Sequence, residues 1–170
     1  MGIAPLQSRP PFAGHSPDRE RPLGGYTVLT GTFLSLCGLF VRRLRRSGTE
    51  LPEHVPAEDL LLLAVATHKL SRMATRDRVT SSLRAPFTVF QDDAGAGEVR
   101  EAARGHGLRR AIGELLVCPY CLGMWVATAF VAGLLTAPRA TRWVAATFAV
   151  LTGSDALQIA YARAERLLDP

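Results

Sequence analysis

"LLVCPYCLGMWVATAF", residues 115–130, sets Cys118 and Cys121 around Pro119 and Tyr120 at the head of an apolar run that stays uncharged to Thr136. Roughly 20 such residues cross the ~30 Å hydrocarbon core of a bilayer as a helix. The stretch therefore predicts a transmembrane helix over about 115–136. Trp143 to Ala162, whose only charge is Asp155, predicts a second over 143–162. The short "TAPRATR", 136–142, joins the two and makes them an antiparallel C-terminal hairpin.

Further towards the N-terminus, Tyr26 to Val41 is uncharged and is closed by Arg42, Arg43, Arg45 and Arg46. That pattern predicts a transmembrane helix over 26–41 with a basic stop. After Pro52 and Pro56, "AEDLLLLAVATHKLSRMATRD" (57–77) predicts a helix over about 58–75, with Glu58 and Asp59 at its N-terminal, dipole-favoured end. From Leu60 to Thr75 it is about 24 Å long at 1.5 Å per residue, short of a full crossing without snorkelling or thinning. Lys69, Arg72 and Arg76 are offset by 3 and 7 residues and share one helix face as a basic stripe. "DRVTSSLRAPFTVF" (77–90) is expected to lie along the interface, ended by Pro86. Residues 91–107, "QDDAGAGEVREAARGHG", are expected to form a flexible cytoplasmic loop with room for a helical turn over Glu98–Arg104. The Pro-, Gly- and Arg-rich residues 1–25 are expected to be a disordered tail.

The expected fold is an all-α integral membrane helical bundle of three or four helices, with the membrane domain over 57–162. Positive-inside counting does not separate three spans from four, because both arrangements concentrate Lys and Arg on one side. Both make the loop of residues 76–113 cytoplasmic and Arg139 external. The expected location is the cell membrane, as a multi-pass protein. The net charge of +5 does not indicate nucleic acid, because most Lys and Arg adjoin apolar blocks, where anionic lipid at the cytoplasmic face accounts for them.

Cys118 and Cys121 fit three roles. As a structural turn, Pro119 opens the helix, Tyr120 anchors at the interface and the thiols are small fillers. As a redox pair, the helix start favours the Cys118 thiolate. As half of a zinc site, they need two further ligands. Elsewhere the chain offers Cys37, His15, His54, His68 and His106, so a metal needs His68 or His106 to approach, or the same turn from a second chain in a homo-oligomer. The structural role ranks first, and no cofactor is expected. Asp155, intramembrane and costly if unpartnered, is expected to face protein in a hydrogen bond or ion pair aided by Ser154 rather than to mark a proton pathway. His68 is expected to hydrogen-bond at a helix interface. No nucleophile–base–orienter set, phosphate loop or carboxylate pair appears, so enzymatic activity rests on Cys118 and Cys121 alone. A structural or interaction role is expected, ahead of a membrane thiol oxidoreductase and a metal-bridged dimer.

"LLLLAVATHKLSRMATRDRVTSSLRAPF" (60–87) together with "LLVCPYCLGMWVATAFVAGLL" (115–135) resembles the bacterial domain of unknown function 1360 family, small integral membrane proteins with a sporulation-associated member. The resemblance covers residues 60–160. It places Arg72, Asp77, Cys118, Pro119, Cys121 and Trp125 on the family's motif positions. Lys69 stands where arginine is usual and Tyr120 where tryptophan is common. The resemblance implies a helical membrane protein and supplies no reaction.

Overall fold

The computed structural model of the protein describes residues 21–48 and 50–168 together with His15. The tail expected over 1–25 therefore falls mostly outside the described residues. The elements are α1 (Leu23–Arg46), α2 (Ala57–Arg76), a 3-10 turn (Arg78–Thr80), α3 (Ser81–Arg84), β1 (Thr88–Gly95), β2 (Glu98–Ala103), α4 (Gly107–Leu116), α5 (Pro119–Thr136) and α6 (Pro138–Leu168). The chain is mostly helical and carries one two-stranded antiparallel sheet. Among the described residues three helices, α1, α5 and α6, are long and apolar enough to cross a membrane.

Two compact units divide these elements. The first comprises the described residues up to 48 and residues 74–121; the second comprises residues 50–73 and the described residues from 122 onward. In the first, α1 starts just after Pro22 and ends on Arg43, Arg45 and Arg46, whose charges suit the negative end of the helix dipole. Its first turns pack on α4 so closely that a β-carbon on Gly25 would lie 2.6 Å from the Ala111 methyl. The Tyr26 hydroxyl donates to the Glu114 carboxylate at the same contact.

Where a flexible loop was expected over 91–107, the chain forms a hairpin. Ala96 and Gly97 both take positive φ, 48° and 80°, as the tight turn that matches strand twist requires. The sequence hid this because the strands are polar: Val99 is their fully buried apolar residue, and the pairing is dressed with cross-strand Asp and Arg. The helical turn expected over Glu98–Arg104 is overturned by β2. The hairpin turn is held to the 3-10 turn by the Arg78 N–H, which donates to the Gly97 carbonyl at 2.9 Å.

In the second unit α2, α5 and α6 enclose a core of Leu63, Ala66, Phe130 and Ala145. The seven-residue connection expected at 136–142 shrinks to Ala137. The reason is Pro138: at the first position of a helix it has no N–H to leave unsatisfied, so α6 begins there. Pro119 begins α5 in the same way, and residues 115–116 belong instead to α4. At the hairpin, a β-carbon on Gly133 would come within 2.7 Å of Thr141 Oγ1.

Candidate functional site

Two ion pairs tie α2 to α6. Arg142 donates from Nε and Nη2 to the two oxygens of Asp59, both at 2.7 Å. Lys69 Nζ donates to Asp155 Oδ2 at 2.7 Å. The order Asp59–Lys69 along α2 matches Arg142–Asp155 along α6, so the two helices run parallel, and α5, joined to α6 at Ala137, runs antiparallel to α6. The pairs are about 15 Å apart along α2 at 1.5 Å per residue. The partner of Asp155 in the structure is Lys69. The basic stripe is accordingly split, since Lys69 is turned into the helix pair while Arg72 is exposed. His68 is also on the exposed side of α2, and its carbonyl accepts from the Ser71 hydroxyl at 3.1 Å.

On its exposed face α2 is apolar in its first half, with Leu60 and Leu61 at 54% and 69% exposure, and polar in its second, with His68 and Arg72. Beside the core lies an open groove of about 340 Å³ lined by Leu70, Val126, Phe130, Thr141 and Val144 among others. Its lining is apolar apart from the Thr141 hydroxyl, which donates to the Ala137 carbonyl at 3.0 Å.

At the joint between α4 and α5 the structure brings the sulfur atoms of Cys118 and Cys121 together as a disulfide, with Cα atoms 5.2 Å apart. The Cys121 N–H donates to Cys118 Sγ at 3.1 Å, in the first turn opened by Pro119. Tyr120 is 91% exposed, and Trp125 lies half-buried one turn after Cys121. Among the described residues no group of three or more His, Cys, Asp and Glu gathers where a metal ion would need them.

The most completely bonded side chain was not legible in the sequence. Arg84, 1% exposed, uses all five of its N–H groups. Nε donates to Glu101 Oε2 at 2.9 Å and Nη2 to Glu101 Oε1 at 3.0 Å. Nη2 also donates to the Asp77 carbonyl at 3.0 Å, and Nη1 to the Ala74 carbonyl at 2.9 Å and to the Thr80 hydroxyl. The Ser81 and Thr88 hydroxyls donate to Glu101 at 2.6 and 2.7 Å. Burial pushes the Glu101 carboxyl up, but the hydrogen bonds from Arg84, Ser81 and Thr88 outweigh it and hold the group below its ordinary value. The motif residue Asp77 is placed here by its backbone, which bridges to Glu98 and receives Arg84. Arg84 and Glu101, like Asp59 and Arg142, are joined across chain distances that no local spacing reveals.

This geometry defines a small helical protein with three helices apolar enough to span a membrane and a hydrogen-bonded polar segment between two of its helices. Residues 62–161 match the family described as "Protein of unknown function (DUF1360)", and the chain belongs to that family. It is 30% identical over 94 residues to the sporulation protein YjcA of Bacillus subtilis (strain 168), an alignment covering 54% of this chain and 80% of that protein. No solved structure matches the chain.

Proposed function

We propose that the chain is a multi-pass protein of the cell membrane with four helices in the bilayer and a structural or interaction role connected with sporulation. The observation that carries the four-helix arrangement is the pairing of Lys69 with Asp155 and Asp59 with Arg142. α2 alone is too charged and too short to be an obvious span. Beside α6, Asp59 and Lys69 meet partners of opposite charge, which lowers the cost of inserting those two, while Glu58, Arg72 and Arg76 lie towards the two ends of the helix. This arrangement leaves Arg42, Arg43, Arg45 and Arg46 outside, against the usual charge bias. Cleavable tags inserted at Glu53, Gly95 and Arg139 test it: Glu53 and Arg139 are expected outside and Gly95 in the cytoplasm. A cytoplasmic Glu53 means α2 does not cross.

The link to sporulation is supported by the name of the Bacillus subtilis relative. Expressing this chain in a strain lacking YjcA, and counting heat-resistant spores against the parent and the deletion strain, tests it: a count restored towards the parent's supports the link, and a count left at that of the deletion strain removes it. Anionic lipid at the cytoplasmic face is the partner that the exposed arginines among residues 76–110, Arg78, Arg100, Arg104 and Arg109, suit best.

A second role, membrane thiol oxidoreductase, is favoured by the sulfur contact between Cys118 and Cys121. In that role two thiols pass two electrons to a partner disulfide, through a mixed disulfide, and end as the Cys118–Cys121 bond. Cys118→Ser and Cys121→Ser separate the roles. A structural turn tolerates both, since serine also caps a helix start, whereas a redox pair loses activity in both and traps a mixed disulfide in one.

A further inference from the structure

The segment Arg78–Phe87 is amphipathic in the opposite sense to a water-soluble surface turn. Its inward positions carry Thr80, Ser81 and Arg84, all hydrogen-bonded around Glu101. Its outward positions carry Val79, in the 3-10 turn, and Leu83, in α3, at 83% and 75% exposure. Polar side chains are inside and large apolar ones outside, which in water wastes apolar burial that the same residues would gain if the segment were rotated. That placement is favourable where the outside is not water. The segment follows directly from α2, whose last residue is Arg76, and Arg76 and Arg78 both precede Val79; the exposed Arg78 side chain also pairs with Asp93 at 2.9 Å.

We propose that Val79 and Leu83 form a wedge that inserts into the lipid–water interface of the cytoplasmic leaflet, with Arg76 and Arg78 at headgroup level and the Arg84–Glu101 network holding the wedge in shape from behind. The proposal rests on the membrane reading above and goes beyond it in naming the surface. The favoured partner is a lipid surface and not a protein, for two reasons. The chain enters the segment from a helix assigned to the bilayer, so the segment is tethered within reach of the interface. Basic residues beside an apolar pair also suit anionic headgroups above acyl chains.

An environment-sensitive fluorescent amino acid, placed by stop-codon suppression at Val79, Leu83, Gln91 or Val150, tests this in vesicles of phosphatidylcholine and phosphatidylglycerol. The vesicles carry lipid brominated either near the headgroup or deep in the chain. Resistance of each protein to protease in detergent reports that it is folded. Probes at Val79 and Leu83 are expected to be quenched more strongly by the shallow bromine than by the deep one, the probe at Val150 to be quenched by lipid, and the probe at exposed Gln91 to be quenched only by aqueous iodide. If Val150 is quenched by lipid but Val79 and Leu83 behave like Gln91, the wedge is wrong and the membrane reading stands. If Val79 and Leu83 resist both bromolipid and iodide, protein covers them, and the wedge is equally wrong. If Val150 escapes lipid, the membrane reading fails and the wedge with it. The double substitution Val79→Ser and Leu83→Ser, which leaves the Arg84 network untouched, is expected to raise protease cleavage within residues 77–117 several-fold in vesicles and not in detergent. Equal cleavage of the two proteins in vesicles overturns the proposal.

Discussion

Among residues 77–104 a side chain at the very bottom of the exposure range is an arginine, Arg84, whereas in the bundle of α2, α5 and α6 the fully buried residues are Ala66 and Ala145. The polar segment encloses charge and leaves Val79 and Leu83 outside. The bundle encloses small apolar groups, leaves Val150, Leu157 and Trp143 outside, and admits charge only at the two pairs between α2 and α6. A bundle with an apolar core and large apolar residues over much of its outside suits lipid, because close packing at positions such as Ala66 and Ala145, not exclusion from water, then holds helices together. A segment stitched by an arginine with every N–H used holds its shape by saturated hydrogen bonding. The two regions differ in what the interior must supply, and their failures should differ accordingly.

The largest effect is expected where a buried charge loses its partner. Arg84→Leu leaves the Glu101 carboxylate buried with hydroxyls alone, and should destabilise the 77–104 segment by about 3–5 kcal/mol. Loss of protease resistance between residues 77 and 117 in detergent measures it. Adding Glu101→Leu should recover much of the loss, since an apolar pair replaces an unpaired charge; no recovery would mean that Arg84 acts through its carbonyl contacts instead. The effect carries a pH signature. In the native protein the folded Glu101 pKa lies below the unfolded value of about 4.3. Its stabilisation is therefore present above that pH and is lost as pH falls through the folded value, so acid should loosen the segment. In Arg84→Leu the burial contribution remains without its strongest opponent, and mild acid should tighten the segment relative to neutral pH. Parallel acid responses in the two proteins would break the contrast.

Lys69→Leu is the matching cut in the bundle. It leaves Asp155 without its cation, and an ionised carboxylate at the centre of a spanning helix costs about 2.5–3.5 kcal/mol on insertion scales. Asp155 is 47% exposed at its side chain, so snorkelling and protonation should make this loss smaller than that at Arg84. Asp155→Asn should be milder than Asp155→Leu, because the amide still accepts a bond from Lys69. The diagnostic outcome is rescue: Lys69→Leu with Asp155→Leu should insert and assemble better than either single variant, read as monodisperse yield from membranes. If the double variant is no better, the two residues matter separately, and the proton-pathway role of Asp155 becomes the stronger one.

A smaller loss, of about 1–3 kcal/mol, is expected from overpacking at Gly113. There a methyl group would run into the Phe87 carbonyl and lie 2.9 Å from the Ala103 methyl. Backbone cannot step aside as a side chain does. Gly123→Ala is the control, since its nearest neighbour, Ser71 Oγ, is an ordinary 3.8 Å away. Melting temperatures of the two variants in one detergent should separate; equal values would show that α4 is not packed on the hairpin as described.

How far each region could be read from sequence follows from the same contrast. Apolar runs report themselves locally, so α1, α5 and α6 were visible as the blocks 26–41, 115–136 and 143–162, and their ends moved when Pro119 and Pro138 proved to be first positions of helices. The need of Asp155 for a partner was also visible, because a charge in such a block is expensive. Its partner was not, since Lys69 lies 86 residues away and looked like one member of a basic stripe. The hairpin was hidden more deeply. Its strands bury Val99 and Thr88, leave Val89 and Phe90 exposed side by side and carry Asp92 next to Asp93, so the period-two apolar signal of a half-buried strand is absent. Arg84 sits in "SSLRAPF", where nothing distinguishes it from the arginines that face solvent. The Cys118 and Cys121 spacing was legible as a turn, and its chemistry is not decided by spacing alone.

The smallest expected effect makes the sharpest test of the comparison, because it uses the residue next to Glu101. Arg100 pairs with Asp92 at 3.1 Å, and Arg84 pairs with Glu101 at 2.9 Å. The distances are alike and the groups are of the same kind. What differs is exposure, because successive strand residues point to opposite faces: the Arg100 and Asp92 side chains are 64% and 52% exposed, while those of Arg84 and Glu101 are 1% and 4% exposed. Water and salt screen the first pair, and holding two long side chains in register offsets most of what remains. Arg100→Leu should therefore cost no more than about 1 kcal/mol, against the several lost at Arg84, in the same proteolysis assay on the same segment. Raising the salt concentration should erase the Arg100 effect and leave the Arg84 effect in place, since ions reach only the exposed pair. If Arg100→Leu instead matches Arg84→Leu, burial is not what gives the Arg84 network its strength. The hairpin would then be held by its cross-strand charges, and the view of this segment as a shape saturated from within would have to be abandoned.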